Sequence, residues 1–525
     1  MILKKEALFI TIIVLISAIL TILLFQFRIS PFHEFSLKTE DSLYAFNKNN
    51  PAKNITTILI DEKSVNRFGR WPWNRKIIAK GIEKLKPAKV VVLDMIFSEP
   101  TEKEPDRILS QTILSVGNIV CGFFLRPKAT ETQTEEALDI LSDSALLKVP
   151  KKLPIGYFPH AEINIQSILK SCLLSGTLNA IGDSDQIIRH YHPVLIFNGE
   201  VYPSLGVQAL RIFLNTDATI TKNSVLTLKN RKIPIKKDGI LLNFYQLEKY
   251  NINTFSFIDL YDNKIPLSKI KNKIVLIGVS EAGVTDIKPT PIGYLPGPFI
   301  HLTFISNFLN NDFVFHSFYT DIFLSILFLI PLITIFFKAE NIYSRIVLYF
   351  SFLCLLILTL ILLYLKKVFF PSIFYIVLFL SFCILFVEIY SIAKKTKESR
   401  FMKNMFGTYV SKEILNIMIK NPKKLKLGGE KKNITVLFID IRNFTSLSEK
   451  MKPEKLVEVI NFIFTPLTEI ILKNKGTLDK YIGDAIMAVW NAPLTVDNHP
   501  LKAVTSASDI LKIMKYLNRE LKKKE

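Results

Sequence analysis

Four long apolar segments constrain this chain more than any other feature. They cover residues 7–27, 318–337, 346–365 and 368–392. Each is close to the roughly 20 apolar residues that a helix needs to cross a bilayer, and the mean hydropathy of +0.29 agrees with membrane spans. The sequence therefore predicts a multi-pass membrane protein in which 7–27 is an uncleaved anchor. A cleaved signal peptide is the disfavoured alternative, because no Ala-x-Ala cleavage pattern follows the segment.

Basic residues give these four segments an orientation. The net charge is +21, and its densest clusters flank apolar segments at 338–345 and 393–400. The positive-inside rule places both clusters in the cytoplasm together with residues 1–6, although the basic pair 366–367 then lies outside. No nucleic-acid-binding motif is visible, so the charge is attributed to membrane lipids and not to nucleic acid. The predicted localisation is the cell (inner) membrane, with residues 28–317 extracellular or periplasmic.

Region 28–317 has the pattern of a layered α/β domain. Its clearest predicted elements are strands at 55–61, 89–97 and 273–280 and a helix at 75–86. Asp61 and Asp94 each end a strand, where they either line a pocket at the carboxyl edge of a sheet or cap helices and turns. The same alternatives apply to Trp71 and Trp73, which either stack on a ligand or form a packed corner around a proline.

Histidine and cysteine residues in and beyond this region carry weaker predictions. His190 and His192 lack a nearby third ligand, which disfavours a metal site. Cys121 and Cys172 lie in the exported region, so a disulfide is possible, but the sequence does not tell whether they approach each other. The two other cysteines, at 354 and 383, fall inside apolar segments and are interpreted as small hydrophobic residues.

Region 28–317 resembles the extracellular CHASE sensory domain of the second type. The residues that carry the resemblance are 61–62, 69–73 (GRWPW), 94–100 (DMIFSEP), 176–179 (GTLN), 201–205 (VYPSL), 277–278 and 296–301 (PGPFIH). The resemblance implies a sensor for an external ligand, and the sequence does not identify that ligand.

A second constellation of residues lies beyond the last apolar segment. The run ITVLFID predicts a buried strand that ends at Asp440, and a helix is predicted to start at Pro453. The run LDKYIGDAIMAVW predicts a hairpin that turns at Gly483 and Asp484. Two carboxylates at a strand end and a turn suit hard divalent cations, and such pairs occur in two-metal phosphoryl-transfer sites.

The motifs FIDIRNFT at 438–445 and KYIGDA at 480–485 resemble the class III adenylate/guanylate cyclase catalytic domain. The resemblance implies a ferredoxin-like α+β fold, a head-to-tail homodimer, and conversion of ATP to cyclic AMP and pyrophosphate. It implies that Asp440 and Asp484, with the Ile441 carbonyl, hold two Mg²⁺ or Mn²⁺ ions. The overall fold class is thus an α/β multi-domain membrane protein with an extracellular α/β sensor, four transmembrane helices and a partial cyclase domain.

Four residues are predicted to bind the nucleotide by the same resemblance. Lys480 matches the lysine that reads adenine from the opposite subunit, and a donor-only side chain suits an acceptor nitrogen; a solvated strand lysine is the alternative. The backbone N–H groups of Asn443, Phe444 and Thr445 are predicted to bind phosphate at the start of a helix. Asn443 replaces the glycine usual in the family, and asparagine also adopts the left-handed conformation.

The C-terminal third is divided into a linker at 393–432 and the first part of a cyclase domain at 433–525. FGTYVSKEIL at 406–415 resembles the transducing segment of such cyclases, with Ser411 as the N-cap of its helix. The family's second base-contacting aspartate and its transition-state asparagine and arginine are not found at 485–525. The expectation is therefore a truncated catalytic domain. A receptor adenylate cyclase is the favoured function, and a non-catalytic membrane sensor or dimerisation protein with a cyclase remnant is the alternative.

Overall fold

The computed structural model describes residues 2–128, 134–150, 152–281, 287–339, 341–366, 371–406, 431–493 and 495–524. They divide into two compact units, Met1–Ile384 and Leu385–Glu525. The first contains the sensor and most of the apolar helices, and the second contains the cyclase-like region. The predicted transducing segment, including Ser411, lies almost entirely at 407–430, outside the described residues.

The first unit is built from helices and short strands, and its last helix extends into the second unit. Its helices are α1 Ile2–Gln26, α2 Phe32–Asp41, α3 Glu62–Phe68, α4 Arg75–Glu83, α5 Lys103–Val116, α6 Glu135–Ser142, α7 Gln166–Leu169, α8 Leu205–Leu214, α9 Phe257–Tyr261, α10 Gly297–Asn310, α11 Phe318–Lys338, α12 Ile342–Leu365 and α13 Ile373–Phe406. Its strands are β1 Ile55–Ile60, β2 Val90–Asp94, β3 Ile119–Arg126, β4 Tyr157–Phe158, β5 His160–Glu162, β6 Leu174–Thr177, β7 His190–Tyr191, β8 Val194–Phe197, β9 Glu200–Pro203, β10 Ala218–Ile220, β11 Val225–Leu228, β12 Arg231–Pro234, β13 Ile240–Leu241, β14 Thr254–Ser256, β15 Ile274–Val279, β16 Ile287–Thr290 and β17 Gly293–Pro296.

Four helices of the described chain are long and apolar enough to cross a membrane. They are α1, α11, α12 and α13, with apolar portions at Leu8–Gln26, Phe318–Lys338, Ile342–Leu365 and Ile373–Phe401. The last of them starts five residues later than the predicted segment, directly after Pro371 and Ser372, and continues to Phe406. The first residues of the predicted linker therefore continue a membrane helix.

The sensor is organised around a seven-stranded sheet. Six parallel strands follow the order β14-β1-β15-β2-β3-β6, and β5 pairs antiparallel with the end of β3. Helices α4, α5 and α9 cover one face through Ile78, Leu109 and Phe257. Helices α8 and α10 cover the other through Leu210 and Phe304. Because helices cover both faces, every residue of β1 and β15 is buried.

Details of the sensor core confirm some sequence predictions and correct others. Strand β2 ends at Asp94, because the residues that follow it turn away and MIF does not extend the strand to 97. Cys121 and Cys172 form a disulfide, with their Cα atoms 6.0 Å apart. It links β3 to the segment that follows α7, and the structure thereby resolves a pairing that the sequence left open.

The second unit contains a three-stranded antiparallel sheet with helices packed on one face. Its elements are β18 Thr435–Asp440, α14 Phe444–Ser448, α15 Pro453–Lys473, β19 Thr477–Ile482, β20 Ala485–Trp490 and α16 His499–Lys524. The strand order is β18-β20-β19. Ile471, Ile486 and Trp490 are central to its core. The strand ending in Asp440, the helix starting at Pro453 and the Gly483–Asp484 hairpin are all found as predicted.

Candidate active site

The hairpin register brings the two predicted metal ligands to one end of the sheet. Strand β18 pairs with β20 so that Asp440 lies opposite Ala485. Asp484 directly precedes Ala485, in the two-residue turn between β19 and β20. Gly483 has a φ of +63°, a left-handed conformation that favours glycine at this turn position. Asp440 and Asp484 are therefore neighbours in space although 43 residues of chain separate them.

Both carboxylates are open to a ligand. Asp440 is exposed and accepts one hydrogen bond, from the backbone N–H of Ile441 at 3.1 Å. Asp484 is half-buried and makes no hydrogen bond or ion pair with the part of the chain that the structure describes. Oxygen donors without a cationic side-chain partner, next to the Ile441 carbonyl, are the donor set that Mg²⁺ and Mn²⁺ prefer. The residues present thus fit a divalent cation site.

The two-residue turn at Gly483 and Asp484 decides on which face of the sheet Lys480 lies. Counted from this turn, β19 and β20 pair without interruption as far as Lys480, which lies opposite Met487, and Met487 lies opposite Phe438. The register shifts only beyond Lys480, where Asp479 is an extra residue before Leu478. Residues opposite each other share a sheet face, and so do residues two apart on one strand. Lys480 and Asp440 therefore lie on the same face, which the sequence pattern alone did not predict.

That face is uncovered within the described part of the second unit. The opposite face packs on α15 and α16, where Tyr481 stacks on Phe464 at 5.2 Å and its hydroxyl shares a hydrogen bond with Thr468. On the uncovered face Phe438 is 63% exposed and Ile482 is 49% exposed. The Lys480 ammonium lies 3.4 Å from the Asp479 carboxylate, and both side chains are exposed.

The predicted phosphate-binding residues follow β18. Asn443 has φ 59° and ψ 27°, the left-handed conformation expected for a residue in place of glycine. Phe444 and Thr445 form the first turn of α14, where backbone N–H groups have no partner within the helix. These residues lie three to five positions after Asp440, at the same end of the sheet as the carboxylates.

Candidate residues in the sensor have structural partners, although Trp71 and Trp73 also line a cavity of about 460 Å³. Asp61 caps α3 by accepting the Ser64 N–H at 3.0 Å, and it also accepts the Ser64 and Ser256 hydroxyls. His190 pairs with Asp183 at 2.9 Å, and the described residues contain no group of three or more metal-ligating side chains suited to a metal. The Trp71 and Trp73 rings pack edge to face at 5.5 Å.

Asp94 differs from the other candidates. It lies at the end of β2 facing the start of α10, and its Oδ2 atom is buried without a hydrogen-bond partner among the described residues. Burial raises the pKa of this carboxyl to about 7, against a weaker opposing effect of Lys288. Among the described residues, Asp94 forms no helix-capping hydrogen bond.

Two known domain families match different parts of this chain. The CHASE2 domain family matches residues 15–335. The chain belongs to the CHASE2 domain family. Residues 428–525 match the adenylate and guanylate cyclase catalytic domain. The CHASE2 sensor is therefore joined in one chain to a cyclic nucleotide cyclase domain.

Two curated relatives and one solved structure each match less than a fifth of this chain. The chain is 31% identical to Adenylate cyclase 1 of Rhizobium meliloti over 94 residues, which are 18% of this chain and 14% of that protein. It is 36% identical to an adenylate cyclase of Anabaena cylindrica over 101 residues, 19% of each chain. The crystal structure of the adenylyl cyclase CyaB from P. aeruginosa is 34% identical over 17% of this chain and 47% of its own, with a TM-score of 0.17. The chain thus spans less than a fifth of the length of these two curated relatives.

Proposed function

We propose that this CHASE2 protein is a membrane receptor adenylate cyclase that converts ATP to cyclic AMP and pyrophosphate under control of its sensor. The observation that carries the proposal is the hairpin register, in which Asp440 and Asp484 lie at one end of the sheet and Lys480 shares a face with Asp440. The adenylate cyclases among the similar proteins support the choice of ATP.

Each residue has a distinct part in this proposal. Asp440, Asp484 and the Ile441 carbonyl would hold two Mg²⁺ or Mn²⁺ ions, which when bound supply Lewis-acid activation of the ribose 3′-hydroxyl and neutralise triphosphate charge. The Lys480 ammonium donates a hydrogen bond to adenine N1, an acceptor that guanine lacks at this position because its N1 carries a hydrogen.

Phosphate binding completes the nucleotide site. The backbone N–H groups of Asn443, Phe444 and Thr445 donate to the triphosphate at the carboxylate end of the sheet. A glycine-like conformation at Asn443 keeps the backbone open for this approach.

A second copy of the chain is the proposed cover for the uncovered face. Phe438 and Ile482 expose large apolar side chains there, which monomeric proteins rarely leave in a contiguous patch. A homodimer would bury them and bring Lys480 of one copy towards the carboxylates of the other.

The proposed topology places the sensor outside and the cyclase region in the cytoplasm. Four spans put the regions before the second and after the fourth helix on opposite sides of the membrane. The basic residues at 338–345 and 393–400 favour the cytoplasm for the cyclase side. The Cys121–Cys172 disulfide supports an oxidising compartment for the sensor.

Metal binding tests the site without relying on turnover. Purified full-length chain is titrated with Mn²⁺ and followed by electron paramagnetic resonance. We expect wild type to bind Mn²⁺ and the variants Asp440→Asn and Asp484→Asn to lose that binding. Asp509→Asn, which removes an exposed carboxylate on α16 that pairs with Lys512, is the matched control and should bind as wild type does. Equal binding by all four proteins contradicts the metal assignment.

Product analysis tests the reaction itself. Incubation of the full chain with Mn²⁺ and either ATP or GTP should yield cyclic AMP in preference to cyclic GMP, and Lys480→Glu should reverse that preference. Mn²⁺ binding without cyclic nucleotide from either substrate favours the alternative, a sensor or dimerisation protein with a non-catalytic cyclase region.

A further inference from the structure

Two adjoining cavities in the first unit have opposite chemical character. An apolar groove of about 290 Å³ lies between α1, α11 and α13, and a polar cavity of about 350 Å³ lies at the sensor end of these helices. Phe25, Ser372 and Tyr375 border both. The two spaces therefore meet where the apolar helices reach the sensor.

The groove has the dimensions of one hydrocarbon chain. Its lining includes Ala18 and Ile22 of α1, Ser325 and Leu329 of α11 and Phe379 of α13. A methylene group occupies roughly the volume of a liquid water molecule, about 30 Å³, so the groove accommodates about ten carbons. A helix of about 10 Å diameter does not fit a space of this volume. In a membrane, an acyl chain is the occupant that matches it.

The polar cavity presents donors and an acceptor that are only partly used. The Arg28 guanidinium is 60% exposed and has one distant partner, Asp238 at 3.7 Å. The Tyr375 hydroxyl is buried at the junction of the two cavities and has no hydrogen-bond partner among the described residues. Both groups can donate to a phosphate oxygen. The other arginine of the cavity, Arg189, is held at 2.7 Å by Asp41.

Glu40 is one of three acidic residues that line the cavity, together with Asp41 and Asp238. Its Oε1 atom accepts the Ser36 and Ser372 hydroxyls, each at 3.1 Å, and none of the described residues donates a hydrogen bond to Oε2. The nearby His316 pairs with Asp321 at 2.7 Å. Burial raises the pKa of Glu40 to about 7, and an ammonium group beside it would favour the ionised carboxylate.

We propose that these joined cavities bind a phospholipid whose headgroup carries a primary ammonium. One acyl chain lies in the groove, the phosphate accepts hydrogen bonds from Arg28 and Tyr375, and the ammonium donates to Glu40. A phospholipid whose headgroup has no ammonium N–H group offers Glu40 no such donor. The lipid would join α1, α2, α11 and the start of α13, the helix that continues beyond the membrane to Phe406.

Native mass spectrometry of the full chain tests the proposal. Delipidated protein in detergent is titrated with phosphatidylethanolamine, phosphatidylcholine, phosphatidylglycerol, or the soluble headgroup phosphoethanolamine. We expect phosphatidylethanolamine to bind at least 10-fold more tightly than each of the other three. Equal affinity for all three lipids overturns the headgroup assignment, and equal affinity for phosphoethanolamine overturns the acyl-chain assignment.

Paired variants locate the site. Glu40→Gln should lower the affinity for phosphatidylethanolamine at least 10-fold, whereas Glu34→Gln, at an exposed position of the same helix, should not. Ala18→Phe fills the groove and should abolish binding, whereas Leu15→Phe, on an exposed face of α1, should not.

A smaller substitution in the groove shows whether loss of binding in Ala18→Phe comes from misfolding. Ser325→Leu narrows the groove from α11 and should weaken binding in the same direction as Ala18→Phe. Lipid binding that is unchanged in both groove variants overturns the proposal. So does a dimer that the groove variants abolish while no lipid mass is bound, because the groove would then hold a second copy.

Discussion

The two sheets of this chain place aspartates at strand ends with opposite consequences. In the sensor, helices cover both faces of the sheet. The Asp61 carboxylate accepts hydrogen bonds from the Ser64 N–H at the start of α3 and from the Ser64 and Ser256 hydroxyls. In the cyclase region none of the described elements covers one face of the sheet, and Asp440 is exposed while Asp484 is half-buried. A carboxylate inside a two-sided sheet must find internal partners, because its desolvation is costly. A carboxylate on an open face is free to bind a ligand.

The largest expected effect is on the sensor's internal charge network. Arg189 is 3% exposed and pairs with Asp41, Asp183 and Asp185. Arg189→Ala leaves three clustered carboxylates, two of them half-buried, without this counter-charge and should cost about 3–5 kcal/mol. Hydrogen–deuterium exchange of sensor peptides in the full chain would report this loss. Arg107→Ala, which removes an exposed i,i+3 pair with Glu104, is the control and should change exchange little.

Asp94 is the sensor aspartate whose Oδ2 atom has no described hydrogen-bond partner, and we expect it to make the stability of the sensor depend on pH. Its pKa is raised to about 7 in the folded sensor, so the folded state binds a proton that the unfolded chain has already released. Stability therefore falls as the pH rises from about 4 to about 7, by up to about 4 kcal/mol. Asp94→Asn removes this cost, and its stability advantage over wild type should grow from pH 5 to pH 8. A constant difference between the two proteins would show that the carboxyl is paired.

Asp440→Asn should separate activity from stability in the cyclase region. The side chain is exposed and accepts only the Ile441 N–H, so exchange protection of β18 should stay as in wild type. Cyclic AMP formation should fall by about 100-fold or more, because a ligand of the phosphoryl-transfer site is lost. A loss of protection equal to the loss of activity would mean that this aspartate is structural, like Asp61.

The smallest expected effect is the cap itself. Asp61→Ala removes the α3 N-cap and should destabilise the sensor by about 1–2 kcal/mol, with little change in Mn²⁺ binding. Asp61→Asn keeps an acceptor oxygen and should recover most of that stability. Exchange rates in β1 and α3 distinguish the two variants.

The sequence determined the local elements of this protein. Short runs rich in β-branched and apolar residues predicted β1 and β15, the Gly483–Asp484 pair predicted the hairpin, and four apolar segments predicted the membrane helices. These features depend on side-chain periodicity and on the conformational freedom of glycine, both of which a single segment carries by itself.

Only the tertiary structure decided which of these residues meet. Asp61 and Asp94 both end a predicted strand, yet Asp61 caps a helix, whereas the Oδ2 atom of Asp94 is buried without a described hydrogen-bond partner. The difference arises because different elements pack against the two residues. The pairing of β20 with both of its neighbours places Lys480 on the face of Asp440, since Met487 lies opposite Lys480 on one side and opposite Phe438 on the other. The disulfide and the joined cavities likewise bring together residues that lie far apart in the chain. Such proximity depends on packing between elements, which no local pattern encodes.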